Sequence, residues 1–207
     1  MHDDDGTRKR LHRTDRGLTI RASSFANGTP KPRKRGFLNT NKPDFVVRRV
    51  DRSQDATLQN LFEHYLHDMA EWFQFDYAPD GRYAHDPATY RNNGAEVWFA
   101  YVGEIPIAFA LVGSAHAFID DADAKDLDEF FVVRRYRRNG VGRDFARQVW
   151  DAYRGRWVVR VFQGNVPAVP FWRGAIAEYT DRAYHEEIRN IRDRPWSYFT
   201  FDNSGPR

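Results

Sequence analysis

The chain has 207 residues, enough for one domain with its own core, and 15% of them are aromatic, which favours a packed interior over disorder. The absence of cysteine excludes disulfides, thiolate metal sites and cysteine nucleophiles, and no run approaches the roughly 18 to 20 apolar residues of a membrane span. The net charge of +3 divides unevenly: residues 1–43 hold 11 Lys/Arg against 4 Asp/Glu, while residues 44–207 hold 21 against 25, so a nucleic-acid-binding body with a basic face is not expected.

Residues 1–43 cluster Gly, Pro, Ser, Asn and charge with little hydrophobic periodicity, which predicts a disordered basic N-terminal extension. It lacks the apolar segment of a secretory signal, and with the missing cysteines this points to a cytoplasmic protein. Its run Lys31 to Arg35 suits nucleic acid or an anionic surface, although composition favours a plain solvated tail.

From residue 44 the body alternates element types. "DFVVRRV" (44–50) reads as a strand. Over 55–73, Leu58, Leu61, Phe62, Tyr65, Met69, Trp72 and Phe73 recur at helical spacing and form one stripe. "AEVWFAYVGEIPIAFALVG" (95–113) predicts two strands joined by a tight turn at Gly103 and Glu104. "KDLDEFFVV" is a fourth strand, "GVGRDFARQVWDAYRG" a helix closed by Gly155, and "RWVVRVFQ" a fifth strand. "NVPAVPFWRGAIAEY" reads as a helix distorted near its start by Pro170. "AYHEEIR" and "WSYFTFD" supply the last strands. A hairpin followed by strand–helix–strand–helix implies a mixed sheet with helices on its faces.

The junction after the fourth strand carries chemistry. Arg134, Arg135, Arg137 and Arg138 crowd one turn, and Gly140 and Gly142 follow at the start of a helix. Like charges repel, and glycine weakens a helix by about 1 kcal/mol relative to alanine. A bound polyanion would offset both. A helix N-terminus presents unpaired N–H groups, the glycines let them approach a ligand, and the guanidinium groups bond phosphate oxygens. Taken alone, the motif also fits a solvated basic loop. A Walker loop is absent, and the third glycine of a dinucleotide fingerprint is replaced by Phe145.

Arg137 to Gly142, just after "FFVV", resembles the R/Q-x-x-G-x-G/A signature of the GNAT superfamily of acyl-CoA-dependent N-acetyltransferases. "GNVPAVPFW" (164–172), after the next strand, resembles that family's N-x-x-A-x-x-F-Y motif. Order and spacing match over about residues 44–180, and the combination is most similar to a bacterial subgroup of predicted acetyltransferases. The resemblance implies an α/β fold over residues 44–207: a mixed, mostly antiparallel sheet flanked by helices, with a splayed central strand pair. It implies acetyl-CoA as co-substrate. The backbone of Phe130, Phe131 and Val132 would pair with the pantetheine arm. Arg137, Arg138, Asn139, Gly140, Val141 and Gly142 would hold the pyrophosphate, and Asn165 would hydrogen-bond the pantetheine. The splay would also free a strand N–H for the oxyanion. Asn165 has a second reading as a helix N-cap.

The implied reaction is direct attack of a primary amine, on a small molecule or a protein, upon the acetyl thioester. A base must first deprotonate the ammonium. Strand alternation places Glu129 with Phe131, and Asp126 with Asp128 on the face of Phe130. Partial burial among aromatics raises a carboxyl towards a base's range, so Glu129 is the predicted base, with Asp126 and Asp128 behind it. Two positions depart from the family pattern. Trp172 stands where the family has a tyrosine able to protonate the thiolate, and Arg160 where many relatives have a glutamate. Tyr179, Tyr184 and His185 are the candidate replacements. These departures leave open a catalytically weak acyl-CoA-binding module; a third reading, from the tail alone, has the basic extension bind nucleic acid while the domain modifies a nearby protein.

On the acceptor side, Asp68 beside Tyr65 and Trp72 suits a cationic amine, or else pairs with His64 one turn earlier. His67, His85 and Asp86 read as solvent or loop residues. No His and carboxylate set has metal-ligand spacing, so no metal is expected, nor a membrane partner. The oligomeric state is left open.

Overall fold

In the computed structural model the chain divides into two units, Met1–Leu38 and Asn39–Arg207, and the structure describes residues 42–205 of the second. The predicted extension, with Lys31 to Arg35, lies outside the described residues apart from Lys42 and Pro43.

The elements run β1 (Val46–Val50), α1 (Asp55–Met69), α2 (Ala88–Asn92), β2 (Glu96–Val102), β3 (Ile105–Ser114), β4 (Lys125–Val132), α3 (Val141–Asp151), β5 (Arg156–Phe162), α4 (Ala168–Tyr179), β6 (Tyr184–Ile191) and β7 (Arg194–Asp202). The α1 stripe buries Leu58, Leu61, Phe62 and Leu66. This helix stops at Met69, earlier than the apolar pattern suggested. Trp72 and Phe73 both donate backbone bonds to the Met69 carbonyl, in turns that carry Phe73 off the stripe. In α3, Val141, Phe145, Val149 and Trp150 recur at helical spacing and are fully buried. The helix ends at Asp151 rather than at Gly155, whose φ of 120° belongs to the turn into β5. Pro170 leaves α4 undistorted: it is the third helical residue, and first-turn N–H groups have no intrahelical partner to lose.

Seven strands form one sheet in the order β1-β2-β3-β4-β5-β7-β6. Every pair is antiparallel except β4 with β5, which the α3 crossover makes parallel. Residues of β3 enter two separate cores. Ile107, Ala108, Ala110 and Val112 join α3 and α4 through Phe145, Trp150, Trp172 and Ile176. Phe109 and Leu111 join α1 through Leu58, Phe62 and Leu66. The sheet therefore has helices on both faces.

Two features of this sheet shape the site. The β4–β5 ladder holds only three pairs, Lys125–Trp157, Asp126–Val158 and Leu127–Val159, and past Leu127 the strands part. The β3–β4 register also slips: Leu111 faces Glu129 and Val112 faces Leu127, which leaves Asp128 as an extra, bulged residue. This corrects the predicted alternation. Leu127 and Phe130, three apart, both pack on the α3–α4 core, whereas Asp126 and Asp128 share the α1 face with Glu129 through the side chains they meet.

Candidate active site

The gap between β4 and β5 opens into a cavity of about 300 Å³. Leu127, Phe130, Val159 and Trp172 line it from the α3–α4 side, and Phe62, Tyr65, Leu66 and Tyr90 from the α1 side. The cavity thus has walls from both faces of the sheet.

Glu129 lies there. Oε1 accepts a bond of 2.6 Å from the Tyr90 hydroxyl, and Oε2 accepts one from Tyr65. Burial pushes the carboxyl up to about 7, against the two phenol bonds that favour its ionised form. The same burial, with the carboxylate beside them, raises both tyrosines. Tyr65 belonged to the recognised helical stripe. Tyr90 was missed because the five-residue α2 has no periodicity to reveal it. Its start is set by Asp86, whose Oδ1 accepts the Ala88 N–H at 2.8 Å. His85, predicted to be a loop residue, also lines the cavity.

Asp126, Asp128 and Arg160 form a second group on the same face. Arg160 Nη2 donates to Asp126 Oδ2 and to Asp128 Oδ1, both at 2.6 Å, and Nε adds a bond of 3.1 Å to Asp126. The guanidinium lies 4.1 Å from the centroid of Phe118. Asp126 is 2% exposed, and this burial pushes it up to about 6 despite the guanidinium. Asp128 is shifted the same way for the same reason. Arg160 is therefore a clamp on two acids rather than a free cation.

After β4, Gly140 caps α3 in the left-handed region at φ 88°. A residue with a side chain pays about 1–2 kcal/mol there. Gly140→Ala is accordingly expected to lower stability by about 1 kcal/mol in urea denaturation. Gly142 answers to packing instead, since a Cβ there would lie 3.3 Å from the ring of Phe171. Lys42 pairs with Asp144 in the first turn of α3.

The arginines are not all free for phosphate. Arg137 donates through Nε to the Val132 carbonyl at 2.6 Å and through Nη2 to Asp68 at 2.5 Å. Arg134 reaches the other oxygen of Asp68 at 2.6 Å. Asp68 is thus neither paired with His64 nor a wall of the cavity. Its burial, which alone would raise it, is outweighed by the two guanidinium groups that hold it below the usual carboxylate range. Arg138 is exposed at φ 65°. Asn139 Oδ1 is buried without a hydrogen-bond partner among the described residues.

Asn165 lines the cavity, and its amide contacts Met69 Sδ at 3.8 Å. The N-cap reading fails, because α4 starts at Ala168 with no side-chain cap. Trp172 is buried against Phe130, with ring centroids 5.0 Å apart. None of its candidate replacements lines the cavity. Tyr179 bonds Asp151 and Asn203 at the far end of α4, and Tyr184 and His185 sit on β6.

The residues present fit coenzyme A on one count: the β4 edge over Phe130, Phe131 and Val132 is left unclaimed by β5. Residues 59–175, more than half of the chain, match the acetyltransferase (GNAT) family model, and the chain belongs to that family. Among solved structures it is similar to a spermidine N-acetyltransferase from Vibrio cholerae in complex with CoA and spermine, at 13% identity over 77% of this chain and 96% of that one, TM-score 0.53. A ribosomal-protein-alanine N-acetyltransferase from Brucella melitensis matches at 13% identity over 76% and 99%, TM-score 0.53. An aminoglycoside acetyltransferase in complex with coenzyme A and kanamycin matches at 14% identity over 77% and 95%, TM-score 0.56. At such identities the likeness is one of fold. No curated protein matches the sequence significantly. No helix among the described residues is long and apolar enough to cross a membrane.

Proposed function

We propose that the protein transfers an acetyl group from acetyl-CoA to a primary amine, on a small molecule or a protein, by direct attack. The observation that carries this reading is Glu129, a carboxyl raised to about 7 in a cavity lined from both faces of the sheet. Bound acetyl-CoA supplies an activated thioester carbonyl. The β4 edge beyond Leu127 offers backbone groups to the pantetheine arm, and the turn from Arg137 to Gly142 cradles the diphosphate. Ionised Glu129 takes one proton from the ammonium, and the freed amine then attacks the carbonyl: the C–N bond forms, the C–S bond breaks, and the thiolate departs with the electron pair and takes up the second proton that the nitrogen loses. Tyr65 and Tyr90 hold the carboxylate in place. Trp172 is no acid, but a thiol of pKa about 8.5 leaves unaided at a reduced rate.

The test is calorimetry with coenzyme A, followed by thiol release from acetyl-CoA in the presence of amines. Arg138→Glu is expected to weaken coenzyme A binding by about tenfold or more, since a charge-assisted bond contributes about 1.5–3 kcal/mol. Undiminished binding by this variant would remove Arg138 from the diphosphate site. A binding module without turnover would release no thiol whichever amine is supplied.

A further inference from the structure

The part of the cavity on the α1 side carries a wall of rings that acetyl transfer as such does not require. Phe73, Phe162 and Trp196 converge there, with centroids 5.0 Å apart between the first two, 5.5 Å between the last two and 6.1 Å between Phe73 and Trp196. Phe75 continues the wall 6.0 Å from Phe73, and His85 meets Phe75 edge-on at 4.9 Å. These side chains come from the turns after α1, the loop before α2, the end of β5 and the start of β7. All five line the cavity and none is fully buried, so they enclose a space rather than fill a core.

Charge narrows the occupant further. Among the described residues only two carboxylates line the cavity, Asp128 and Glu129. Asp128 is committed to Arg160, which leaves Glu129 as the single acid available to a cation. Beside the wall, the Arg194 guanidinium lies over Phe73 and Phe162 at 5.1 and 5.6 Å, a positive charge that opposes a second cation. A polycation needs several acids spread along its length and finds one here.

We infer that the acceptor is a monoamine carrying a flat aromatic body, its nitrogen at Glu129 and its ring against Phe73, Phe162 and Trp196. This rests on the acetyl-transfer reading and adds the acceptor class to it.

The experiment measures kcat/KM for thiol release by the full chain with acetyl-CoA and three amines: 2-phenylethylamine, butylamine and spermidine. The aryl amine is expected to exceed each of the others by about tenfold or more, the return on burying a phenyl ring. Trp196→Leu and Phe73→Leu are each expected to shrink the ratio of 2-phenylethylamine to butylamine about tenfold, mainly through KM. If a variant fails to fold, the wild-type ratio decides. Equal or faster turnover of butylamine or spermidine overturns the inference and leaves acetyl transfer standing. No turnover of any of the three, with acetyl-CoA bound by calorimetry, overturns the inference, and the acetyl-transfer reading falls with it when no peptide amine releases thiol either.

Discussion

Glu129→Gln is expected to lower kcat by about 10²–10³-fold at pH 8, within the range that general bases contribute. It is also expected to abolish the rise of kcat/KM through pH of about 7 that ionisation of Glu129 produces in the parent. The amide keeps the shape and accepts a phenol hydrogen bond, so the loss would be chemical rather than architectural. Stability moves the opposite way. The folded-state value of Glu129 is raised above its ordinary 4.5 to about 7. The native state therefore binds the proton more tightly than the unfolded chain does. That stabilisation is fully present below about pH 4.5 and is lost as pH climbs through 7. By pH 8 ionised Glu129 would cost about 3 kcal/mol at most, a cost that glutamine escapes. The variant should thus be slower and more stable at pH 8, and closer to the parent in stability at pH 5, as read by urea denaturation at the two pH values. An unchanged pH–rate profile would remove Glu129 from the mechanism.

Arg160→Met is expected to be the most damaging single change to the fold. It removes the guanidinium shared by Asp126 and Asp128 and leaves two carboxyls beside each other with no counter-charge. Breaking a buried ion pair in this way costs about 3–5 kcal/mol, which lowers Tm on the order of 10 °C in a domain of this size. Both acids are already raised by burial. Without Arg160 they would rise further and hold their protons at mildly acidic pH. The penalty should therefore be larger at pH 8 than at pH 5. Thermal unfolding at both values checks the size and the sign, and a loss below about 1 kcal/mol would show the clamp to be dispensable.

Much of this architecture was legible in the residues, for particular reasons. The strands announced themselves through apolar runs such as "RWVVRV", and the hairpin through Gly103, whose φ is 58°. The helix after Gly140 followed from the spacing of Val141, Phe145 and Val149. What escaped was long-range or aperiodic. A period of two cannot register the extra residue at Asp128, so the acids were assigned to opposite faces. Asp68 meets Arg137 across 69 positions of sequence, and local spacing offered only His64. Glu129 was selected for its aromatic neighbours in the chain, yet the groups that hold it, Tyr65 and Tyr90, come from 64 and 39 residues away. The ring wall assembled by Phe73, Phe162 and Trp196 has no signature at all before folding.

The three-rung ladder between β4 and β5 has a mechanical consequence. Seven strands form one sheet, but only three residue pairs join its two halves, β1 to β4 on one side and β5, β7 and β6 on the other. Leu127 and Val159, the last pair before the gap, bound the aperture in which Glu129 sits. Width at that aperture is therefore governed by few backbone bonds and by the bulk of the side chains wedged across it, so enlarging those side chains would throttle passage without touching a reacting group.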